Sequence, residues 1–98
     1  INGMTKSVAR EVGTEGVTVN AICPGLIVTD ILQTNGPKTA EAMGMTLDEM
    51  IDYFTSESAI KRPNKVEEVA AVALLLASEA GAGITGTQLS VDGGTAQY

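Results

Sequence analysis

The sequence predicts an α/β fold with a parallel sheet, and three observations carry that expectation. A strand, a long irregular segment containing a helix, an apolar helix and a second strand follow one another, the order of a βαβ unit. The apolar helix, expected over 66–78, is hydrophobic nearly all round, which suits a helix buried on two sides. Only Tyr53, Phe54 and Tyr98 are aromatic, so the core is built from small aliphatic side chains that let helices lie close on parallel strands.

The elements follow in chain order. Residues 1–13 read as a helix with Ile1, Met4, Val8 and Val12 on one face and Gly13 placed as its left-handed cap. Alternating valines predict a strand over 17–23, which Pro24-Gly25 ends because proline cannot donate to a ladder. Residues 26–62 are the least regular third, with a strong turn signal at Asn35-Gly36-Pro37. Within them Thr46 and Glu49 have the spacing of a capping box, so a helix is expected over about 47–56. Asn64, with Glu67 three residues on, reads as the N-cap of the apolar helix. A glycine-rich turn over 81–86 leads into the strand 87–91, which ends at Asp92-Gly93-Gly94.

Composition removes several function classes. The net charge of −6 speaks against nucleic acid and anionic membranes as partners. No run approaches the length of a membrane span, and nothing at the start resembles a signal peptide. The single cysteine, Cys23, cannot close an internal disulfide, which fits a reducing, cytoplasmic setting. Without histidine, Ser-His-Asp and Cys-His mechanisms and the usual zinc sites are out of reach of this segment, so no metal ligand is expected. A chain starting at Ile1 with helix under way, and with only two strands, reads as the end of a larger doubly wound sheet.

Several blocks then resemble the short-chain dehydrogenase/reductase family in the family's own order. They are Met4–Glu11, Gly16–Asp30 with Asn20-Ala21-Ile22-Cys23-Pro24-Gly25 at its centre, Arg62-Pro63, Glu67–Ala70, Leu76–Glu79, Ile84-Thr85-Gly86 and Val91–Gly94. The tail from Val91 to Gln97 is similar to 3-hydroxybutyrate dehydrogenases and 3-oxoacyl-ACP reductases. The resemblance implies that residues 1–98 are the C-terminal segment of a single Rossmann-type domain whose substrate loop is 30–62. It implies NAD or NADP as cofactor and a small alcohol or ketone as substrate. Pro24, Gly25 and Ile27 would face the nicotinamide, Ile27 bonding its carboxamide, while Thr29 would offer a hydroxyl to the carboxamide or a phosphate oxygen. Ile31 and Leu32 would lie nearest the reacting centre. Homo-oligomer contacts would run through helix 66–78 and strand 87–91.

The family's catalytic Ser, Tyr and Lys are not in this sequence. Neither Tyr53 nor Tyr98 is followed by a lysine four residues on, and Asn20 is not the family's catalytic asparagine. The segment is therefore expected to be inactive alone, and a truncated module acting only through oligomerisation is the rival reading.

Simpler roles are open for several residues. Gly81-Ala82-Gly83-Ile84-Thr85-Gly86 has the spacing of a dinucleotide loop, but it follows a helix and opens a strand, so it reads as a turn. Thr29 can equally cap a short helix over 30–34. Asp48 and Asp52 read as a solvated face, and Cys23 as a small buried hydrophobe.

Overall fold

The two strands, β1 (Ala21–Pro24) and β2 (Gln88–Val91), pair in parallel, with Ala21 opposite Gln88 and Pro24 opposite Val91. The computed structural model describes residues 2–95; Ile1, Ala96, Gln97 and Tyr98, and the roles expected of them, lie outside the described residues. The expected α/β class with parallel strands is what forms.

β1 starts later than the valine alternation predicts, because side chains do the pairing ahead of it. The Asn20 amide donates to the Ile84 carbonyl (2.9 Å) and accepts from the Thr87 amide (3.1 Å) and the Thr87 hydroxyl (2.6 Å). Val19 donates to Thr85 Oγ1 (3.0 Å) and accepts from the Gly86 amide (2.8 Å). Pro24, expected to stop the strand before itself, is instead its last residue. Ala21 donates to the Thr87 carbonyl and Gly25 to that of Val91. Bonding amides alternate along a strand, so position 24 faces away from β2 and its missing N–H costs this ladder nothing.

Helix α1 (Asn2–Val12) runs on into a tight turn over Gly13–Glu15, so the left-handed residue is Gly16 (φ 76°), not Gly13. The packed face also differs from the expected stripe. Thr5 and Ala9 are buried, whereas Met4 and Val8 are exposed. Ala9 is small enough to admit the turn at Gly86, whose carbonyl accepts from Lys6 Nζ at 2.8 Å.

The region 26–62 is more regular than its sequence suggests: it holds α2 (Asp30–Ala42) and α3 (Leu47–Thr55). The Asn35-Gly36-Pro37 signal does not produce a turn. Gly36 is buried where an added Cβ would lie 2.7 Å from Leu47 Cδ1 and 3.2 Å from Leu32 Cδ1, so α2 is held against α3 at that point. Pro37 sits exposed in the same helix. The Thr46–Glu49 capping box forms as expected, with bonds of 3.1 and 3.2 Å.

Helix α4 (Val66–Ala77) is capped at Lys65 rather than Asn64. Lysine has no side-chain acceptor, so only half a box is made, Glu68 accepting from the Lys65 amide at 2.7 Å. Asn64 is drawn inward instead, its backbone N–H donating to the Leu26 carbonyl at 2.9 Å. The two-sided burial expected of α4 is not found. It rests on β1 and on the turn Glu79–Gly81, and Leu74 remains 72% exposed.

The surface confirms how open the arrangement is. The chain exposes 6708 Å², against about 5,300 Å² expected of a compact monomer of this mass. Among the described residues only Ala9, Ala40 and Met50 are buried hydrophobics.

Replacing Asn20 by alanine removes three of the five bonds that join 19–20 to 84–87 and leaves the Ile84 carbonyl and Thr87 amide without their Asn20 partner. The expected cost is about 2 kcal/mol, measured as a lower urea midpoint with the slope unchanged. Asn20→Ser, with one hydroxyl, should recover only part of the loss.

Candidate functional site

Parallel pairing carries the ends of β1 and β2 to one edge of the sheet, where their connections diverge. Gly25 lies so close to the end of β2 that an added Cβ would sit 2.9 Å from both Cα and Cβ of Asp92. Asp92 in turn closes the β2 end on itself, Oδ1 accepting from the Gly94 amide (3.0 Å) and its carbonyl from the Thr95 hydroxyl (2.8 Å). The segment after α3 latches onto this end. The Ile60 amide donates to the Gly93 carbonyl (3.1 Å), and buried Ser58 accepts from the Lys61 amide (2.9 Å).

From this edge the chain leaves through Leu26, Ile27 and Val28, and Ile27 makes a parallel bridge with Asn64. The bond of that bridge ends on the Leu26 carbonyl, so Ile27's own N–H and C=O point to the opposite side. Among the described residues they meet no backbone partner. A strand end with one free donor and one free acceptor two residues past a glycine is a place where a planar amide can dock.

Thr29 follows as the N-cap of α2, its Oγ1 accepting from the Leu32 amide at 3.3 Å. The capping alternative thus holds, and it governs the full helix 30–42 rather than 30–34. Capping uses an oxygen lone pair and leaves the hydroxyl hydrogen available to a second group. The first turn of α2 then presents Ile31, 73% exposed, and half-buried Leu32. Pro24 is exposed, and Gly25 and Ile27 are half-buried. All six residues singled out in the sequence therefore follow one path from the strand end onto α2.

Three contributors were not visible in the sequence. Asn64 joins the site through backbone pairing, which leaves no side-chain signature. Arg62 and Glu68 form a two-pronged pair (2.8 and 2.9 Å) across the entry to α4, at a separation no helical spacing flags. The pair orients Pro63 and Asn64 against Leu26. The Arg62 guanidinium, and then the Lys65 amide, hold the Glu68 carboxyl down at about 2.

Asp48 and Asp52 are exposed, Cys23 is half-buried in β1, and the 81–86 glycines form the turn ahead of β2. Among the described residues no cluster of acidic or sulfur side chains is suited to a metal, and no helix is long and apolar enough to cross a membrane.

Known proteins share the sequence pattern and fold of this chain. Residues 1–96 match the model of the family described as enoyl-(acyl carrier protein) reductase. D-beta-hydroxybutyrate dehydrogenase of Rhizobium meliloti (strain 1021) is 44% identical over 99 residues, covering 99% of this chain and 38% of its own. A short chain dehydrogenase family protein of Francisella tularensis subsp. tularensis SCHU S4 superposes with a TM-score of 0.86 at 30% identity, over 96% of this chain and 39% of its own. YwfH, an NADPH dependent reductase involved in bacilysin biosynthesis, does so with a TM-score of 0.83 at 31% identity, over 99% and 37%. The chain thus spans somewhat over a third of the length of these relatives.

Gly25→Ala should force the strand ends apart, lowering stability by about 1–3 kcal/mol and shifting the Asp92 and Asn64 amide resonances together. Glu68 titrates well below its ordinary value, so its pairing stabilises the fold above about pH 4.5 and is lost as pH falls towards 2. Glu68→Gln should therefore flatten the change in thermal midpoint over that window while leaving the midpoint's pH dependence above it unchanged.

Proposed function

The chain belongs to the short-chain dehydrogenase/reductase family, and from that premise we propose that it serves an NAD(P)(H)-dependent oxidoreductase interconverting an alcohol and a ketone. In this reading the edge at Pro24–Thr29 positions the nicotinamide, and 30–62 covers the substrate. The observation that carries it is the free N–H and C=O of Ile27 beside a glycine whose closeness to Asp92 forbids any side chain.

The residues present fit the cofactor. Ile27 offers a donor and an acceptor to a carboxamide, Gly25 keeps the strand end flat, and the Thr29 hydroxyl can donate while it caps α2. When bound, the nicotinamide supplies the hydride donor or acceptor at its C4. This segment's part is to fix orientation, which is worth several kcal/mol of barrier when reacting atoms are held in line. Ile31 and Leu32, standing on the helix that Thr29 caps, shield that face from water. Proton transfer falls to the family's Ser, Tyr and Lys, which lie outside the sequence, and we place residues 1–98 as the C-terminal segment of the Rossmann-type domain that holds them.

The exposed face of α4 and the free edge of β2 support contacts with further protein surface, and a homo-oligomer through 66–78 and 87–91 fits them. The lone thiol, with no partner for an internal disulfide, supports a cytoplasmic setting.

Intact mass measurement of the native polypeptide, coupled to a nicotinamide absorbance assay, tests the proposal. A mass of about 25–30 kDa with turnover is the expected result; a mass matching these 98 residues with no cofactor binding would leave an associating module instead. In the active protein, Thr29→Ser should keep cofactor affinity, whereas Thr29→Val should lose the cap, about 1 kcal/mol, and raise the cofactor Kd at least several-fold.

A further inference from the structure

An unbroken run of bonded peptide groups links Arg62 to the proposed nicotinamide edge. Arg62 Nη1 donates to the Pro63 carbonyl at 3.0 Å, while Nη1 and Nη2 donate to the Glu68 carboxylate at 2.8 and 2.9 Å. The Pro63 carbonyl and the Asn64 N–H belong to one planar peptide, so the guanidinium that fixes the first also aims the second. That N–H donates to the Leu26 carbonyl at 2.9 Å. The Leu26 carbonyl in turn shares a plane with the Ile27 N–H, the donor proposed for the carboxamide. Both peptides are trans, so their two polar groups point to opposite sides, and a bond made on one side orients the donor on the other. Resting on the oxidoreductase reading, we infer that Arg62 is a positioning residue for the cofactor: held by Glu68, it sets the direction of the Ile27 N–H through the peptides 63–64 and 26–27.

The relay is anchored on both sides of Asn64. Glu68 Oε1 accepts from the Lys65 N–H at 2.7 Å as well as from Arg62, so the peptides before and after Asn64 are tied to one carboxylate in the first turn of α4. Asn64 is only 6% exposed, which leaves water little room to compete for its bond. Every one of these bonds lies within residues 26–68. A stabilising role alone does not account for the arrangement. The Arg62 and Glu68 side chains are 46% and 34% exposed, and ion pairs so placed contribute little to folding. Two-pronged geometry, by contrast, fixes direction as well as distance. Backbone strain lies at the same point. Lys61 has φ 57°, the one positive value outside glycine among the described residues, and its N–H is held by Ser58 Oγ at 2.9 Å. Such strain persists only where the surrounding structure over-determines the backbone, and it clusters at sites that hold ligands.

The native polypeptide and its Arg62→Ala and Arg62→Lys variants are titrated with whichever of NAD(H) and NADP(H) the wild type binds, and in parallel with ADP-ribose, which has no carboxamide. Lysine keeps the charge but is a point donor that cannot serve Glu68 and the Pro63 carbonyl as a planar fork does, so both variants should behave alike. The expected result is a cofactor Kd raised about fivefold, the size of one net hydrogen bond, with the ADP-ribose Kd unchanged. A purely structural role cannot split the two ligands in this way. Parallel loss of both ligands in both variants, including through failure to fold, overturns the inference and leaves the oxidoreductase reading in place; so does a cofactor Kd that neither variant changes. Should Arg62→Ala alone fail to fold, Arg62→Lys decides. Full recovery of cofactor affinity with lysine also overturns the inference, since charge would then suffice. A wild-type polypeptide with no affinity for either nicotinamide cofactor overturns the oxidoreductase reading itself, and this inference with it.

Discussion

Parallel backbone pairing between β1 and β2, locked at its start by the Asn20 amide, decides where every other feature lies. Antiparallel strands would send their ends to opposite edges; here both finish together, and the two connections must part in a narrow space. Gly25 is the residue that makes this possible, since any side chain would meet Asp92. The divergence in turn exposes Ile27's backbone on one side, while Asn64 holds the other. Thr29 then starts α2, and α2 carries Ile31 and Leu32 to the same place. A single register sets the geometry of the whole site.

The apolar surplus follows from the same frame. Two strands and the helix on one of them cannot enclose each other, so α4 contacts β1 along one side and leaves Leu74 and Val66 in solvent. Met4 and Val8 on α1 are left exposed for a related reason: within the chain α1 meets the turn at Gly86, and only small residues fit there. Surface of this kind is stabilised by burial against more protein, at roughly 25 cal/mol per Å². The stability of the segment therefore depends on what it packs against as well as on its own contacts.

Much of this was legible in the sequence, and the failures have physical causes. Helix α3 came through because its capping pair, Thr46 and Glu49, is local and self-announcing, whereas α2 carries no such pair and was missed. Strand residues 17–20 misled because a valine alternation records β propensity but not whether a neighbour's backbone is in reach; the Asn20 side chain takes over there. The Asn35-Gly36-Pro37 signal failed because tertiary contact overrode a local preference, with α3 using the space at Gly36. Asn64 had the chemistry of a cap but was claimed by Leu26 across a separation that no local pattern records. The residues proposed for the site came from the family resemblance, and the structure strings them along one strand-to-helix turn; Arg62 and Glu68 were hidden because their pairing exists only in three dimensions.

On the function proposed, the exposed Ile27 backbone receives the nicotinamide carboxamide. Amide nitrogen spectra of the native polypeptide, titrated with NAD(H) and NADP(H) and in parallel with ADP-ribose, test it most directly. The Ile27 amide is expected to shift with a nicotinamide-bearing cofactor and to stay in place with ADP-ribose, which has no carboxamide. An Ile27 resonance indifferent to both, in a protein that binds the cofactor, would contradict it.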